Sequence, residues 1–436
     1  MKVHFIGIGG IGLSGLARFL KYNGHMVKGS DISETPLTKK LQNEGIEVLI
    51  PQRSSNIGGD EDMVIYSAAI KSDNDELIEA KKRGIKTLSR SQALPFILKE
   101  HKVYSVAGAH GKSTTTAILA SILKEANAII GAESKEFGSN VRFRDSSTLV
   151  FEADESDGSF LNSNPYCAIV TNAEPEHMDY YDYDLKRFYQ TYQDFLMRAR
   201  VRVINCEDPF LNGLDMEAVR LYPQKDIRIK RYFLKDDEPY IAFELKDLGE
   251  FEVWGFGEHI ALDASLAILA AMQEMDVEEI RENIKNYRGI KKRFDIVQKG
   301  EEFIVIDDYA HHPTEIEATL SSLAHFANLK GLKEITIIWQ PHKYSRVIDN
   351  IESFKRCFKG TTRLIILPVW AAGEEPRKID FKREFAGYNP LFADRVKKER
   401  DRYLLMKNQQ VVEELKSGVI IGFGAGDITY QLRGLK

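Results

Sequence analysis

Apolar runs of four to six residues, each stopped by a glycine-rich or acidic turn and followed by a stretch of helical periodicity, recur along most of the chain. The first predicts a strand over 3–8 feeding a helix over 13–20, with a second strand at 25–29. The alternation continues through a strand at 63–66, a helix at 75–83 and a strand at 85–88, and a first unit closes near Glu100. From Val103 a new strand runs into a turn and a helix over 115–126. A loop around Gly138 follows, then strands at 148–151 and 168–171, an amphipathic helix over 185–198 and a strand at 201–204. The stretch from there to about Leu248 is expected to hold a few antiparallel strands, and a helix over 257–271 carries a face of small residues. After a basic segment at 288–294, read as a hinge, come strands at 294–298 and 303–306, a helix at 314–327 and strands at 335–339, 364–367 and 419–422. Strand and helix in alternation build parallel sheets covered by helices, so the fold class is α/β. At about 150 residues per domain the 436 residues make about three, with expected bounds at 1–100, 101–292 and 293–436.

Composition narrows the function classes. A net charge of -5 and a pI near 6.1 exclude the basic face of a general nucleic-acid binder, so any phosphate bound should belong to a small molecule. No run approaches the roughly 20 apolar residues of a membrane span, and the N-terminus does not read as a signal peptide, so a cytoplasmic protein is expected. The three cysteines, Cys167, Cys206 and Cys357, show no Cys-x-x-Cys spacing, which fits reduced thiols rather than a disulfide or zinc framework.

Candidate chemistry collects where strands end. Gly7-Ile-Gly-Gly-Ile-Gly12 satisfies Gly-x-Gly-x-x-Gly between a strand and a helix, where Gly9, Gly10, Ile11 and Gly12 can let a diphosphate approach a helix N-terminus. Asp31, nineteen residues after Gly12, stands where a ribose hydroxyl could be read. NAD fits this motif, and so does any nucleotide diphosphate, a UDP-sugar included. The block Gly108-Ala109-His110-Gly111-Lys112-Ser113-Thr114 reads as a phosphate cradle: backbone N–H groups, a lysine, and hydroxyls able to ligate Mg²⁺. Val106 stands where the strict P-loop pattern wants a glycine. The next two strands end in Glu152-Ala-Asp-Glu-Ser-Asp157 and in the segment holding His177, placing carboxylates and an imidazole at the same sheet edge. In the last third, Asp307 to Glu315, Gln340 to Arg346, Pro368 to Glu374 and Gly424 to Asp427 end strands and make a second polar rim.

These blocks together resemble the Mur ligase family: GIGGIGLSGLA at 7–17, GAHGKSTTT at 108–116, EADESDGSFL at 152–161, EHMDYY at 176–181, DDYAHHPTEI at 307–316, QPHKYSR at 340–346 and GAGDI at 424–428. The DESDGSF and DDYAHHPTEI forms resemble members that add L-alanine more than those that add a tripeptide in peptidoglycan recycling. The resemblance implies an N-terminal Rossmann-like UDP-sugar domain, a central P-loop ATPase-type domain with a mostly parallel sheet, and a C-terminal Rossmann-like domain. It implies that ATP phosphorylates the lactyl carboxylate of UDP-N-acetylmuramate and that the amine of L-alanine attacks the acyl phosphate, in a monomer or homodimer using Mg²⁺. By the same resemblance Lys112 would hold the β/γ phosphates, and Ser113, Glu152 and His177 the Mg²⁺, with Glu155 as the alternative carboxylate. His259 and Asp263 would border adenine; Arg293 and Asp308 would contact the nucleotide. Lys343 and Arg346 would take the alanine carboxylate, with His311 or His312 near the reacting groups. Gly9 to Gly12, Asp31 and Ser67 would line the UDP site, and Asp154, Ser156 and Asp157 the muramyl end.

Four positions depart from the family pattern: Ile260 and Asp263 replace two asparagines, Ser113 replaces a threonine, and Lys343 stands where arginine is common. A lysine cannot form arginine's bidentate fork. Tyr192, fifteen residues after His177, occupies the place of a lysine that sister ligases carbamylate. Two other classes compete. An NAD-dependent oxidoreductase leaves Gly108 to Ser113 without a role, and a non-catalytic nucleotide-binding regulator leaves the clustered acidic, imidazole and guanidinium groups without one.

Overall fold

β1 (Lys2–Ile6) is buried on both faces from Val3 onward because it lies in the middle of a parallel sheet, between β2 (Met26–Ser30) and β4 (Met63–Tyr66). With β3 (Glu47–Leu49) and β5 (Lys86–Ser89) the order is β3-β2-β1-β4-β5, and the reversal beside β1 opens a crevice at its C-terminal end. The computed structural model describes residues 1–435.

A second sheet is centred on β6 (Lys102–Ala107). Its other strands are β7 (Asn127–Ser134), β8 (Ser139–Arg142), β9 (Thr148–Glu152), β10 (Pro165–Val170), β11 (Val201–Asn205) and β12 (Val219–Leu221), in the order β12-β11-β10-β6-β9-β7-β8. β6 pairs in parallel with β9 on one side and β10 on the other, so the turns after all three open at one edge. The expected loop around Gly138 is the turn that joins β7 and β8 in an antiparallel hairpin, and Ser139 and Asn140 already belong to β8. The helix expected over 115–126 runs Lys112–Ile122, because it starts directly on the glycine turn. Behind the sheet, the helix Leu185–Arg198 packs Tyr192 and Phe195 against Phe160, and Phe188 against Tyr192, with ring centroids 4.9–5.2 Å apart. Each such fully buried ring contributes roughly 1.5–3 kcal/mol. One hydrophobic cluster runs from Val3 and Phe5 to these rings. Buried Arg18 donates to Asn140 Oδ1 (2.5 Å), and Asn140 Nδ2 donates to the Ile11 carbonyl (2.9 Å).

The stretch before residue 248 contains β13 (Ile227–Lys235) and β14 (Glu238–Leu245), which form a three-stranded sheet with β15 (Glu250–Trp254). The last sheet holds β16 (Asp295–Lys299), β17 (Phe303–Asp308), β18 (Ile335–Trp339), β19 (Arg363–Ile366) and β20 (Leu391–Phe392). A separate antiparallel meander, β21 (Arg395–Glu399), β22 (Arg402–Lys407) and β23 (Gln410–Leu415), precedes β24 (Gly418–Phe423), which inserts between β17 and β18. The order β16-β17-β24-β18-β19-β20 is parallel apart from β16.

Two compact units result: Met1–Arg228 with Glu244–Phe251 and Leu262–Arg288, and Ile229–Phe243 with Glu252–Ala261 and Gly289–Lys436. Among the described residues no helix is long and apolar enough to cross a membrane, and the three cysteines are buried and unpaired.

Candidate active site

In the first unit the glycine turn after β1 is drawn tight by Asp31. Its Oδ2 accepts from Gly9 N at 2.8 Å, and a Cβ on Gly9 would stand 2.7 Å from that oxygen, so the close approach requires glycine. Asp31 Oδ1 accepts from Ile32 N (2.8 Å), so this carboxylate braces the turn whatever it reads beyond it. Gly10 precedes the helix Ile11–Tyr22, which has neither a side-chain cap nor an acidic residue in its first turn, leaving the N–H groups near Gly12 for an anion. Ser67 follows β4, and its Cβ lies 3.1 Å from where one on Gly7 would be.

Arg90, which the sequence reading passed over, comes in above this turn, with Nη1 2.9 Å from the Cβ position of Gly12. Its Nη2 donates to Asp154 (2.8 Å), Asp157 (3.1 Å) and Ser159 Oγ (2.9 Å). Burial favours the neutral form of Asp154, but the guanidinium overrides it and holds this carboxyl well below the usual range. Ser156 N donates to Asp154 Oδ1 (3.0 Å), which closes the acidic block on itself. The missed signal was three acidic or hydroxyl groups within six residues with no cation nearby in sequence.

The phosphate loop leaves β6 at Gly108 and turns through Gly111, whose φ of +81° favours glycine. Lys112 is half-buried and donates to the Gly108 carbonyl (2.5 Å), the Ala109 carbonyl (3.2 Å) and Glu155 Oε1 (2.8 Å). Burial works against its charge, yet Glu155 outweighs it, and Lys112 stays an ammonium. Burial likewise pushes the carboxyl of Glu155 upward. Ser113 Oγ donates to Glu152 Oε1 (2.9 Å), and Glu152 Oε2 accepts from Gly131 N (2.6 Å). Thr114 is half-buried in the same helical turn. His177 sits past β10 with a φ of +53° and its Nε2 4.0 Å from Glu176. No hydrogen bond or ion pair among the described residues ties it to Ser113 or Glu152. The structure thus joins two of the three expected metal-binding residues. Their hydroxyl and carboxylate oxygens are the hard donors Mg²⁺ selects.

Two residues frame the loop from outside. Asn172, also passed over, pairs with His110 through both ends of its amide: Nδ2 donates to the His110 carbonyl (3.0 Å), and Oδ1 accepts from His110 N (3.2 Å). Asp263 is buried, with Oδ1 2.4 Å from the Cβ position of Gly111. That places it under the phosphate turn, where only a glycine leaves it room, a tighter constraint than the adenine-bordering role expected of it.

In the second unit Asp308 ends β17 and accepts from Ala310 N (2.8 Å), Phe294 N (2.9 Å) and Thr319 Oγ1 (3.2 Å). Both of its oxygens are engaged within its own unit, where they brace the turn after β17, and burial raises its carboxyl to about 6. Arg293 Nη1 donates to Glu315 Oε1 (3.0 Å), while Glu315 Oε2 accepts from His311 N (3.0 Å) and His312 N (3.3 Å) at the start of the helix Pro313–Lys330. His259 is exposed in the first turn of the helix Glu258–Ala271.

The loop after β18 carries the remaining cations. Arg346 Nη1 donates to His342 Nδ1 (2.9 Å), and the His311 and His342 rings are 5.5 Å apart. Burial, with His311, Arg346 and Lys343 beside it, lowers the His342 imidazole to about 4. Lys343 holds φ +64° and ψ 133°, a conformation natural only to glycine, fixed because its N donates to the Trp370 carbonyl (2.9 Å) and Trp370 N donates to the Pro341 carbonyl (2.8 Å). Ser345 donates to Glu374 through both N (3.0 Å) and Oγ (2.5 Å).

The chain matches the Mur ligase family catalytic domain over residues 2–102, the Mur ligase middle domain over 106–271 and the Mur ligase glutamate ligase domain over 292–422. It is 55% identical over 433 residues to the UDP-N-acetylmuramate–L-alanine ligase of Campylobacter curvus, covering 99% of each chain. It is 57% identical over 435 residues to the ligase of the same name from Helicobacter pylori, covering 99% of this chain and 96% of that one. The crystal structure of the UDP-N-acetylmuramate-alanine ligase of Thermotoga maritima superposes with a TM-score of 0.83 at 26% identity, covering 99% and 97% of the two chains. A murein peptide ligase from Psychrobacter arcticus shares the fold at 19% identity and a TM-score of 0.64, over 98% and 96%. The chain belongs to the Mur ligase family.

Proposed function

We propose that this protein is an ATP-dependent ligase that joins L-alanine to the lactyl carboxylate of UDP-N-acetylmuramate through an acyl phosphate, a step of peptidoglycan precursor synthesis carried out in the cytoplasm. The end-to-end identity to the two ligases of that name carries the reading. On this reading residues 1–100 would take the UDP-sugar, 101–292 ATP and 293–436 the amino acid. Moving a γ-phosphoryl group demands positioning and charge neutralisation more than covalent chemistry. Lys112 is preset for that task. Its ammonium already neutralises Glu155 and two loop carbonyls, and these are the contacts that phosphate oxygens would replace. Ser113 and Glu152, with His177 as a third candidate, would hold Mg²⁺, which when bound neutralises phosphate charge. The glycine turn at Gly9 to Gly12 and Ser67 would take the UDP diphosphate, and Asp154, Ser156 and Asp157, fixed by Arg90, the muramyl end. Arg346 and Lys343 would hold the alanine carboxylate.

Phosphate release with ATP, UDP-N-acetylmuramate and a panel of amino acids tests the proposal. L-alanine should give the highest kcat/KM; a preference for L-alanyl-γ-D-glutamyl-meso-diaminopimelate would move the protein to the recycling branch.

A further inference from the structure

Two neighbouring imidazoles of the second unit, His311 and His342, are held in opposite tautomers. His311 Nδ1 faces the Tyr309 carbonyl at 3.0 Å and Glu315 Oε2 at 3.4 Å. Both of those oxygens can only accept, so Nδ1 carries the hydrogen and Nε2 keeps its lone pair. His342 is the reverse. A guanidinium can only donate, so with Arg346 Nη1 2.9 Å from Nδ1, that nitrogen accepts and Nε2 carries the hydrogen. The rings stand 5.5 Å apart at 71°. One member of the pair can take a proton at its outer nitrogen, and the other cannot.

L-alanine reaches the enzyme as an ammonium, which has no lone pair with which to attack. Resting on the ligase reading above, we infer that His311 Nε2 is the general base that deprotonates the alanine ammonium, with its Nδ1–H oriented by the Tyr309 carbonyl and Glu315. The proton passes to Nε2, the freed lone pair forms the C–N bond to the acyl carbon, and the C–O bond to phosphate breaks as the tetrahedral intermediate collapses. The second proton on nitrogen leaves with the phosphate. His342, with Nε2–H, is a donor to an anionic oxygen. The groups facing His311 are Glu315 on the following helix, Arg293 from the turn before β16, Arg346 and His342 from the loop after β18, and Tyr309 on its own loop. Burial, followed by Arg346 and Arg293, outweighs the pull of Glu315 and lowers this imidazole. It is therefore unprotonated at neutral pH, as a base must be.

The experiment separates amine attack from acyl phosphate formation. Hydroxylamine is largely neutral at pH 7, so it traps the acyl phosphate as a hydroxamate without needing a base. In His311→Gln, ligation of L-alanine should fall about 10²–10⁴-fold while hydroxamate formation with ATP and UDP-N-acetylmuramate stays within about threefold of wild type. The acidic limb of kcat/KM for L-alanine should disappear as well. A variant that ligates alanine at the wild-type rate, or that loses hydroxamate formation in parallel, overturns the assignment. Failure of the unmutated protein to form any hydroxamate would instead overturn the ligase reading on which it rests.

Discussion

Replacing Lys343 by glycine should make the second unit more stable while disabling the enzyme. At φ +64° and ψ 133° a side chain with a Cβ carries about 1–3 kcal/mol of backbone strain. Glycine relieves that strain but gives the unfolded chain extra freedom, worth about 0.5–1 kcal/mol against alanine. Lys343→Ala is the matched control, since it removes the ammonium and keeps the strain. Lys343→Gly should therefore exceed Lys343→Ala in stability by about 0.5–2 kcal/mol, a urea midpoint higher by about 0.2–1 M at a slope of about 2–3 kcal/mol per molar. The unit supplies its own probe, because the three tryptophans, Trp254, Trp339 and Trp370, all belong to it. Both variants should show a raised KM for L-alanine. A glycine variant less stable than the alanine one would refute the reasoning, by showing that the pairing with Trp370 does not force the lysine into strain.

Lys112→Ala should lower phosphate release by roughly 10³-fold, the loss expected for a charge partner of the transition state; near-normal turnover would remove the phosphate-loop assignment. Arg90→Ala should destabilise the first unit by about 1–3 kcal/mol, between the values for exposed and buried ion pairs, because the Arg90, Asp154 and Asp157 side chains are 18%, 37% and 20% exposed. Arg90 depresses the folded-state pKa of Asp154, so this stabilisation is complete above the unfolded value near 3.9 and fades as pH falls through the folded one. The gap between wild type and variant, followed by urea unfolding, should narrow below about pH 4; widening on acidification would contradict the ion pair. Tyr192, buried among Phe160 and Phe188, cannot carry a carbamate, so activity should be equal in bicarbonate-free and bicarbonate-supplemented buffer, and a several-fold activation would contradict that reading.

The glycine turns and the polar strand ends were legible in the sequence because each compresses its chemistry into fewer than a dozen neighbouring residues. Arg90 was not, since its acceptors lie 64 to 69 residues away and only the pairing of β6 with β9 brings them near. Asn172, and the place of Asp263 under Gly111, were hidden for the same reason: each acts on a loop far away in sequence. Asp31 and Asp308 have a bracing role that the sequence did not show: backbone N–H groups left open by a turn donate to their oxygens. The meander β21 to β23 escaped because Lys397, Lys398, Glu413 and Glu414 interrupt its apolar positions, as exposed strands allow.

The interleaving of the two units also sets the order in which the protein can be made. The chain passes from one unit to the other five times, after residues 228, 243, 251, 261 and 288. When Arg228 emerges, every strand of the first two sheets exists, yet the phosphate-loop helix still lacks Asn283, which donates to the Ile122 carbonyl at its C-terminal end (3.0 Å), and Asp263 beneath Gly111. At 5–20 residues per second those sixty residues take roughly 3–12 s to arrive, during which the first unit waits unfinished on the ribosome. A truncation at 228 freezes that waiting state, whereas one at 288 supplies the missing pieces but drags along two segments whose own unit has not been synthesised. A gene dissected at its apparent domain joints would thus yield fragments that each hold part of the other.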